Sequence, residues 1–331
     1  MRHCLLSFCL VILTSLPLCA HDGDLMMEEG NSEGKRSYVK VGLLSSSAGF
    51  SIRHWDDASG RHTFDKLTYY DNSTLGTSYT AGRDGFSFAY CQSKGENDSV
   101  KGRTRSRDIL SSYFGRKAGV ELFYMDKKGE YLDNPRRYGY EPGAPETKRS
   151  DIRQTNFSVN AFYVFSDWFS LRAAFDQCER QLHWDWSFFL MGSLNYNRIR
   201  ADGSLVPASV DTAENFGDQT GYAGGRYLCA GVLPGIGVTL PFHNFYVTGV
   251  AFAGPGLMHQ RVSLDSGRSS SACCNLLANI KGGVGYNGPT IFTGLSLSMH
   301  SVVGGALIGG RDETQVQFFE TVISLFGGIR F

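Results

Sequence analysis

The sequence predicts an all-β protein, a closed antiparallel transmembrane β-barrel of about 12 strands within a range of about 10 to 14. Three observations carry that prediction. The last strand is amphipathic and ends on an aromatic carboxylate. The other terminus carries a secretory signal. Between them lie about a dozen alternating segments and no helical membrane span.

The closing stretch runs from Thr321 to Phe331. Phe331, Ile329, Gly327, Leu325 and Ile323 fall on one side of a strand, and Arg330, Gly328, Phe326 and Ser324 on the other. Outer-membrane barrels end in this way, with Phe331 as the assembly signal read by the barrel-assembly machinery. A last strand of a soluble sheet alternates too, so the rest of the chain has to decide.

At the N-terminus, Arg2 and His3 precede an apolar stretch from Cys4 to Leu16, then Pro17-Leu18-Cys19-Ala20 and a polar segment. This reads as a signal peptide over residues 1–20, cut after Ala20, and is too short for a spanning helix of ~20 residues. A lipidated Cys19 is the rival reading, and bulky Leu18 counts against it. Residues 21–37 are acidic, then Gly/Ser-rich, and read as a flexible lead before a barrel domain over residues 38–331.

Composition narrows the function classes. With 32 basic and 32 acidic residues the formal charge is zero, so no global basic field favours nucleic acid. Hydrophobic content is 42%, yet no apolar run beyond the signal approaches ~18 residues, which excludes helical spans and leaves strands. Forty glycines suit tilted strands that bend, and 13% aromatics suit a headgroup girdle. The Gly-Gly pairs, such as 282–283 and 327–328, precede no helix and are not phosphate cradles. Outside the signal, Cys91, Cys178, Cys229, Cys273 and Cys274 form an odd set without metal-ligand spacing. They are either free thiols or one or two disulfides.

The alternating segments are long. Phe169 to Asp176 is the clearest, with Phe169, Leu171, Ala173 and Phe175 opposite Ser170, Arg172, Ala174 and Asp176. Phe188 to Asn197, Ala278 to Tyr286 and Ile291 to His300 repeat the split. Several exceed ten residues, where soluble strands average ~5–6. With Phe331 on the inner side, the connections at 304–312 and 260–274 face out and those at 287–289 and 241–244 face in, long outside and short inside.

The chain also resembles a known family. Lys101-Gly102-Arg103-Thr104 matches its Lys-Gly-Lys-Thr-like turn, and Tyr113-Phe114-Gly115-Arg116-Lys117-Ala118-Gly119 its Tyr-Gly-Arg-Lys-Phe-Gly-like hairpin. An aromatic strand then ends in Gly129-Glu130-Tyr131, and landmarks resume at Phe169 to Phe175, Glu179-Arg180-Gln181, Asp202 to Pro207 and Gly285-Tyr286-Asn287. From about residue 75 onward the sequence is similar to the domain-of-unknown-function 4421 family. The resemblance implies an outer-membrane barrel and no particular activity or substrate. It fails at Trp184-Asp185-Trp186-Ser187, where the family favours Ser-Ala-Gly-Ser, so indoles sit inside the barrel or at its rim.

Glu121, Arg172, Asp176, Lys281 and Arg330 fall on polar strand faces and are the candidate lumen-facing charges. Inside a barrel they must pair or meet water, forming either a salt-bridged plug or a pore lining. Lys101, Arg103, Arg105 and Arg107 would share one strand face, as a solvated loop, a lumen row, or a site for anionic headgroups or a phosphorylated solute. Asp133 to Arg137 with Tyr138 and Tyr140 reads as a polar loop with aromatic anchors. His300-Ser301 and His243-Asn244 are adjacent and point to opposite faces, and His62, His183 and His259 lack acids at productive spacing, so an enzyme is not expected. The reading is an outer-membrane protein of a Gram-negative-type bacterium, a narrow pore or a structural or surface barrel, without catalytic residues, cofactor or metal. Its partners are outer-membrane lipid and the assembly machinery, with oligomeric state open. A lipid-modifying enzyme and a secreted soluble or lipid-anchored β protein are the alternatives.

Overall fold

The computed structural model describes residues 37–331 except 57–60, 63–65, 73–74, 96, 178, 213–214, 216–219 and 308–312. The signal, the polar lead and Cys19 lie outside the described residues. The strands are β1 (Ser37–Asp56), β2 (Arg61–His62), β3 (Leu67–Tyr70), β4 (Leu75–Arg83), β5 (Phe86–Lys94), β6 (Arg105–Phe114) and β7 (Ala118–Leu132). They continue as β8 (Lys148–Val164), β9 (Asp185–Arg200), β10 (Gly224–Phe242), β11 (Phe245–Leu264), β12 (Gly267–Asn287), β13 (Ile291–Leu307) and β14 (Glu313–Arg330).

Neighbours pair antiparallel, and β1 closes on β14 from Tyr38↔Arg330 to Trp55↔Glu313. The ring contains β1 and β4 to β14, the twelve strands expected. Closure leaves no open edge, as hydrocarbon requires. Outward residues are apolar: Leu190, Leu194, Leu228, Ile236, Val247, Leu257, Leu276, Ile280, Leu295 and Leu325 are each more than 40% exposed. At ~3.4 Å per residue and a tilt of ~40°, the outward run from Phe245 to Leu257 rises roughly 30 Å, the thickness of a hydrocarbon core.

The wall has two tiers. Near the chain termini β1 pairs with β4 over Ser37–Ser45, whereas farther along Gly49–Ile52 pair with β3. β3 in turn meets β7 through Tyr69↔Leu132 and Tyr70↔Tyr131, bypassing β4 to β6. At the end away from the termini the ring is therefore β1, β3 and β7 to β14, ten strands. Gly129 makes the switch. It bulges β7 between Lys128 and Glu130 with φ +92°, and a Cβ there would lie 2.2 Å from the Arg103 carbonyl oxygen. Thr104 donates its hydroxyl to the Gly129 carbonyl at 2.7 Å and accepts the Asn72 amide at 2.8 Å, sealing the junction.

The segment read as the clearest strand, Phe169 to Asp176, is not one. Arg172–Asp176 form a π-helical turn within the β8–β9 connection, residues 165–184. Phe169, Leu171, Ala173, Ala174 and Asp176 are all buried, so both faces lie in protein and the alternation does not separate lipid from lumen. The 260–274 connection is corrected too: β11 and β12 extend through it, leaving Asp265-Ser266 as the turn. The basic run also splits, because β6 starts at Arg105 and leaves Lys101 and Arg103 in the preceding loop.

Candidate functional site

The barrel interior holds the polar groups the strand pattern turned inward. Asn156, Asn160, Ser193, Asn195 and Asn197 are at most 7% exposed. They bond one another, Asn156 donating to Asn197 at 2.6 Å, Ser193 to Asn160 at 2.7 Å and Asn195 to Ser193 at 2.8 Å, while the side-chain oxygens of Asn156 and Asn195 have no hydrogen bond.

Residues 169–177 and 179–181 of the β8–β9 connection fill the terminal end of this interior. Phe169 packs edge-on to Phe189 at 5.0 Å, and Phe175 lies 5.2 Å from Phe114 and 5.5 Å from Phe162. Polar contacts lock the segment. Arg172 donates to the Phe114 carbonyl at 2.6 Å and pairs with Glu179 at 2.8 Å, while Ser170 donates its hydroxyl to Glu179 at 2.9 Å and its amide N–H to the Gln181 side-chain oxygen at 3.0 Å. Arg180 reaches Asn244 at 2.8 Å. The family landmarks Phe169 to Phe175 and Glu179-Arg180-Gln181 are thus the plug itself.

Four of the five predicted charges meet at this plug and the fifth faces it. Glu121 of β7 is 4% exposed and forms an ion pair with Lys281 of β12. The Lys281 ammonium sits 5.1 Å over Phe175 and 5.6 Å over Phe162. Arg330 is 5% exposed, stacks 4.4 Å over Phe292, and donates to the Gly288 carbonyl at 2.6 Å and to the Gln177 carbonyl of the plug. Arg172 and Asp176 occupy the π-helical turn rather than one strand face. Asp176 accepts long hydrogen bonds from Ser87 and Ser112 at 3.4 and 3.5 Å, and its second oxygen has no hydrogen bond. Burial pushes this carboxyl up to about 6, with Lys40 opposing and Glu121 reinforcing the shift. Phe331 points outward at the rim, 60% exposed.

Sequence reasoning missed a second charged cluster where the two tiers meet. Lys127, 1% exposed, lies 3.4 Å from Glu130 and 3.8 Å from Asp71, and Asp71 caps the Ala48 amide at 3.1 Å. Strict alternation turns Glu130 away from Lys127; the Gly129 bulge brings the two together. The signal was Gly129 inside an otherwise regular strand.

The far end is covered by residues 201–212 and 220–223 and by the β7–β8 loop. Leu205, Val206 and Tyr222 are buried, and Leu205 receives Tyr69 on its carbonyl at 2.6 Å. Tyr138, expected as an anchor, donates to the Lys66 carbonyl at 3.0 Å. Trp184 and Trp186 are 67% and 47% exposed, which puts both indoles at the outer rim.

His300 faces inward and Ser301 outward, so they make no dyad, and His259 is an exposed residue 3.4 Å from Ser270. The side chain of His62 lies outside the described residues. Among the described residues no group of three His, Cys, Asp or Glu is placed to hold a metal. Cys91, Cys229 and Cys274 are free thiols, Cys273 is fully buried, and Cys178 lies outside the described residues.

Similar solved structures include the outer membrane protease OmpT from Escherichia coli, at 10% identity over 89% of this chain and 97% of that one, TM-score 0.45. They include the β-domain of the Bordetella autotransporter BrkA, at 12% identity over 86% and 98%, TM-score 0.35. An outer membrane channel from Pseudomonas putida matches at 7% identity over 93% and 100%, TM-score 0.37. Likenesses this distant carry no argument about activity. No curated protein matches the chain. A family model does match, over residues 14–305, starting upstream of the motifs and ending within β13. The chain belongs to the family described as Domain of unknown function (DUF4421).

Proposed function

We propose that this protein is a closed barrel of the bacterial outer membrane that serves a structural or surface-presenting role rather than passive diffusion. The observation that carries this reading is the docking of residues 169–177 and 179–181 into the terminal end of the barrel, with Phe169 and Leu171 each 1% exposed. An open pore needs a continuous wet path, and a segment held by aromatic packing, the Arg172–Glu179 pair and Arg330 opposes one. Export through the signal at residues 1–20 and recognition of the β14 end at Phe331 by the barrel-assembly machinery complete the reading. Glu121, Arg172, Asp176, Lys281 and Arg330 are then plug-securing charges. The lipid-modifying alternative needs a nucleophile and base at one rim, and His300 and Ser301 face opposite sides.

The test has two parts. Membrane-extracted protein is run unheated and boiled on a gel, and the native chain is then reconstituted in a planar bilayer. A detergent-dependent band shift without steady conductance is expected, with conductance appearing in Arg172→Ala/Arg330→Ala. Steady ohmic conductance of the native chain sinks the closed reading. Detergent-free solubility without a shift sinks the membrane reading.

A further inference from the structure

The outward face of the wall carries a charge pattern that neither closure nor the plug requires. Strand register sets Lys94 of β5 opposite Arg105 of β6, Arg105 opposite Lys128 of β7, Lys128 opposite Arg153 of β8, and Arg153 opposite Arg200 of β9. These five are all exposed, side by side on five consecutive strands. One row closer to the membrane centre, Arg198 of β9 faces Arg226 of β10, and Arg226 faces Arg261 of β11. Arg107 of β6 lies in the same row, linked through Asp126 and Thr155.

Directly opposed residues in an antiparallel pair have Cβ atoms ~4.5–5.5 Å apart, and like charges there are destabilising. Five cations in the first row, with Arg107 and the three arginines in the second, make nine. Asp126 is the acid interleaved among them, and both its oxygens are engaged by Arg153, at 2.7 and 2.6 Å. A closed wall cannot move these side chains to another surface. An external anion is the physical remedy.

The height of the rows identifies that anion. The next outward residue below Arg226 is Leu228, the one below Arg107 is Ile109, and Arg261 is separated from Leu257 by His259 alone. Leu228 and Leu257 are 46% and 60% exposed members of the apolar band, so the cations begin where hydrocarbon ends. Groups at that level in a bilayer are lipid headgroups, and arginine forks match phosphate oxygens bidentately.

We infer that this belt binds phosphorylated lipid headgroups of the leaflet at the loop end of the barrel. The inference rests on the membrane reading above, which is scored by heat modifiability without added lipid, so the two fail separately.

The experiment follows thermal unfolding of the full chain in an uncharged detergent, titrated with diphosphoryl lipid A, with the same lipid enzymatically dephosphorylated, or with inorganic phosphate. Diphosphoryl lipid A is expected to raise the midpoint by on the order of a few degrees, an effect that weakens with salt. The dephosphorylated lipid and free phosphate are expected to leave it unchanged. Two triple variants, Arg198→Gln/Arg226→Gln/Arg261→Gln and Arg105→Gln/Lys128→Gln/Arg200→Gln, should bind roughly tenfold or more weakly. Their midpoints without lipid should equal or exceed the native one, because repulsion is relieved. Arg83→Gln, at the opposite rim and 76% exposed, should respond like the native chain. Should a triple variant fail to fold, Arg226→Gln alone is titrated, and weaker binding is again expected. An equal response to dephosphorylated lipid or to free phosphate overturns the inference, as does a full response in the folded variants.

Discussion

The two ends of this barrel solve different problems with the same wall. The terminal end has twelve strands, a plug inside and an aromatic rim, with Trp168, Trp184, Phe242, Phe245 and Phe331 each at least 57% exposed. The loop end narrows to ten strands above a belt of lysine and arginine on the outer wall, with Lys127 buried beside Asp71 and Glu130 where the two tiers meet. Aromatic rings suit an interface of mixed polarity and tolerate any headgroup. Guanidinium groups suit phosphate. The contrast sets a different headgroup chemistry at each rim, and the cation belt ends at Lys128, directly below the Gly129 bulge where β3 takes over from β4 to β6.

Removing one partner of the buried pair at the terminal end should have the largest effect. Lys281→Ala leaves the buried Glu121 without its ion-pair partner and removes the ammonium packed over Phe162 and Phe175, and is expected to cost about 3–5 kcal/mol in denaturant unfolding. Glu121→Gln/Lys281→Met removes both charges and should recover most of that loss. If the single and the double variants lose equally, the pair does not hold the plug end.

Asp176 makes the same end pH-dependent. Its carboxyl titrates at about 6 when docked, against an ordinary value near 3.9 when unfolded. A raised value means that the docked state favours the protonated form. This stabilisation is complete below pH ~4 and is lost as pH rises through about 6, a difference on the order of 2–3 kcal/mol. Asp176→Asn should therefore unfold at a higher midpoint than the native chain at pH 8 and at an equal one at pH 4. Parallel pH profiles for the two proteins would remove Asp176 as the source.

Much of the barrel is legible in the sequence because lipid imposes a period of two. In β9, Phe188, Leu190 and Leu194 face out, and Phe189, Met191 and Asn195 face in, as alternation requires. The β14 split around Arg330 and Phe331 holds for the same reason. Alternation misleads at Phe169 to Asp176, because a plug is enclosed on every side and its apolar residues need no common face; Ala173 and Ala174 are both buried. The pairing of Lys127 with Glu130 is hidden by one inserted residue. The cation belt is invisible until register is known, since Lys94 and Arg200 are far apart in sequence and share a row only through three intervening strands.

Gly129 tests whether the two tiers depend on that one residue. Its φ of +92° is a conformation L side chains rarely adopt, and the Arg103 carbonyl blocks a Cβ at 2.2 Å. Gly139 offers the control: φ is +81°, but nothing lies within 4 Å of its virtual Cβ. Both Gly→Ala changes carry the backbone cost of about 1 kcal/mol, and Gly129→Ala adds a steric term of about 1 kcal/mol or more. The difference should also be local. Relief of the clash moves β7 away from Thr104 and loosens Tyr69↔Leu132 and Tyr70↔Tyr131, the two pairs that close the ten-strand ring. Faster amide exchange in Leu67–Tyr70 of Gly129→Ala, with β4 to β6 unchanged, is the expected result. Equal exchange in the two variants would mean that β3 is held by its pairing with β1 and that the bulge does not divide the wall.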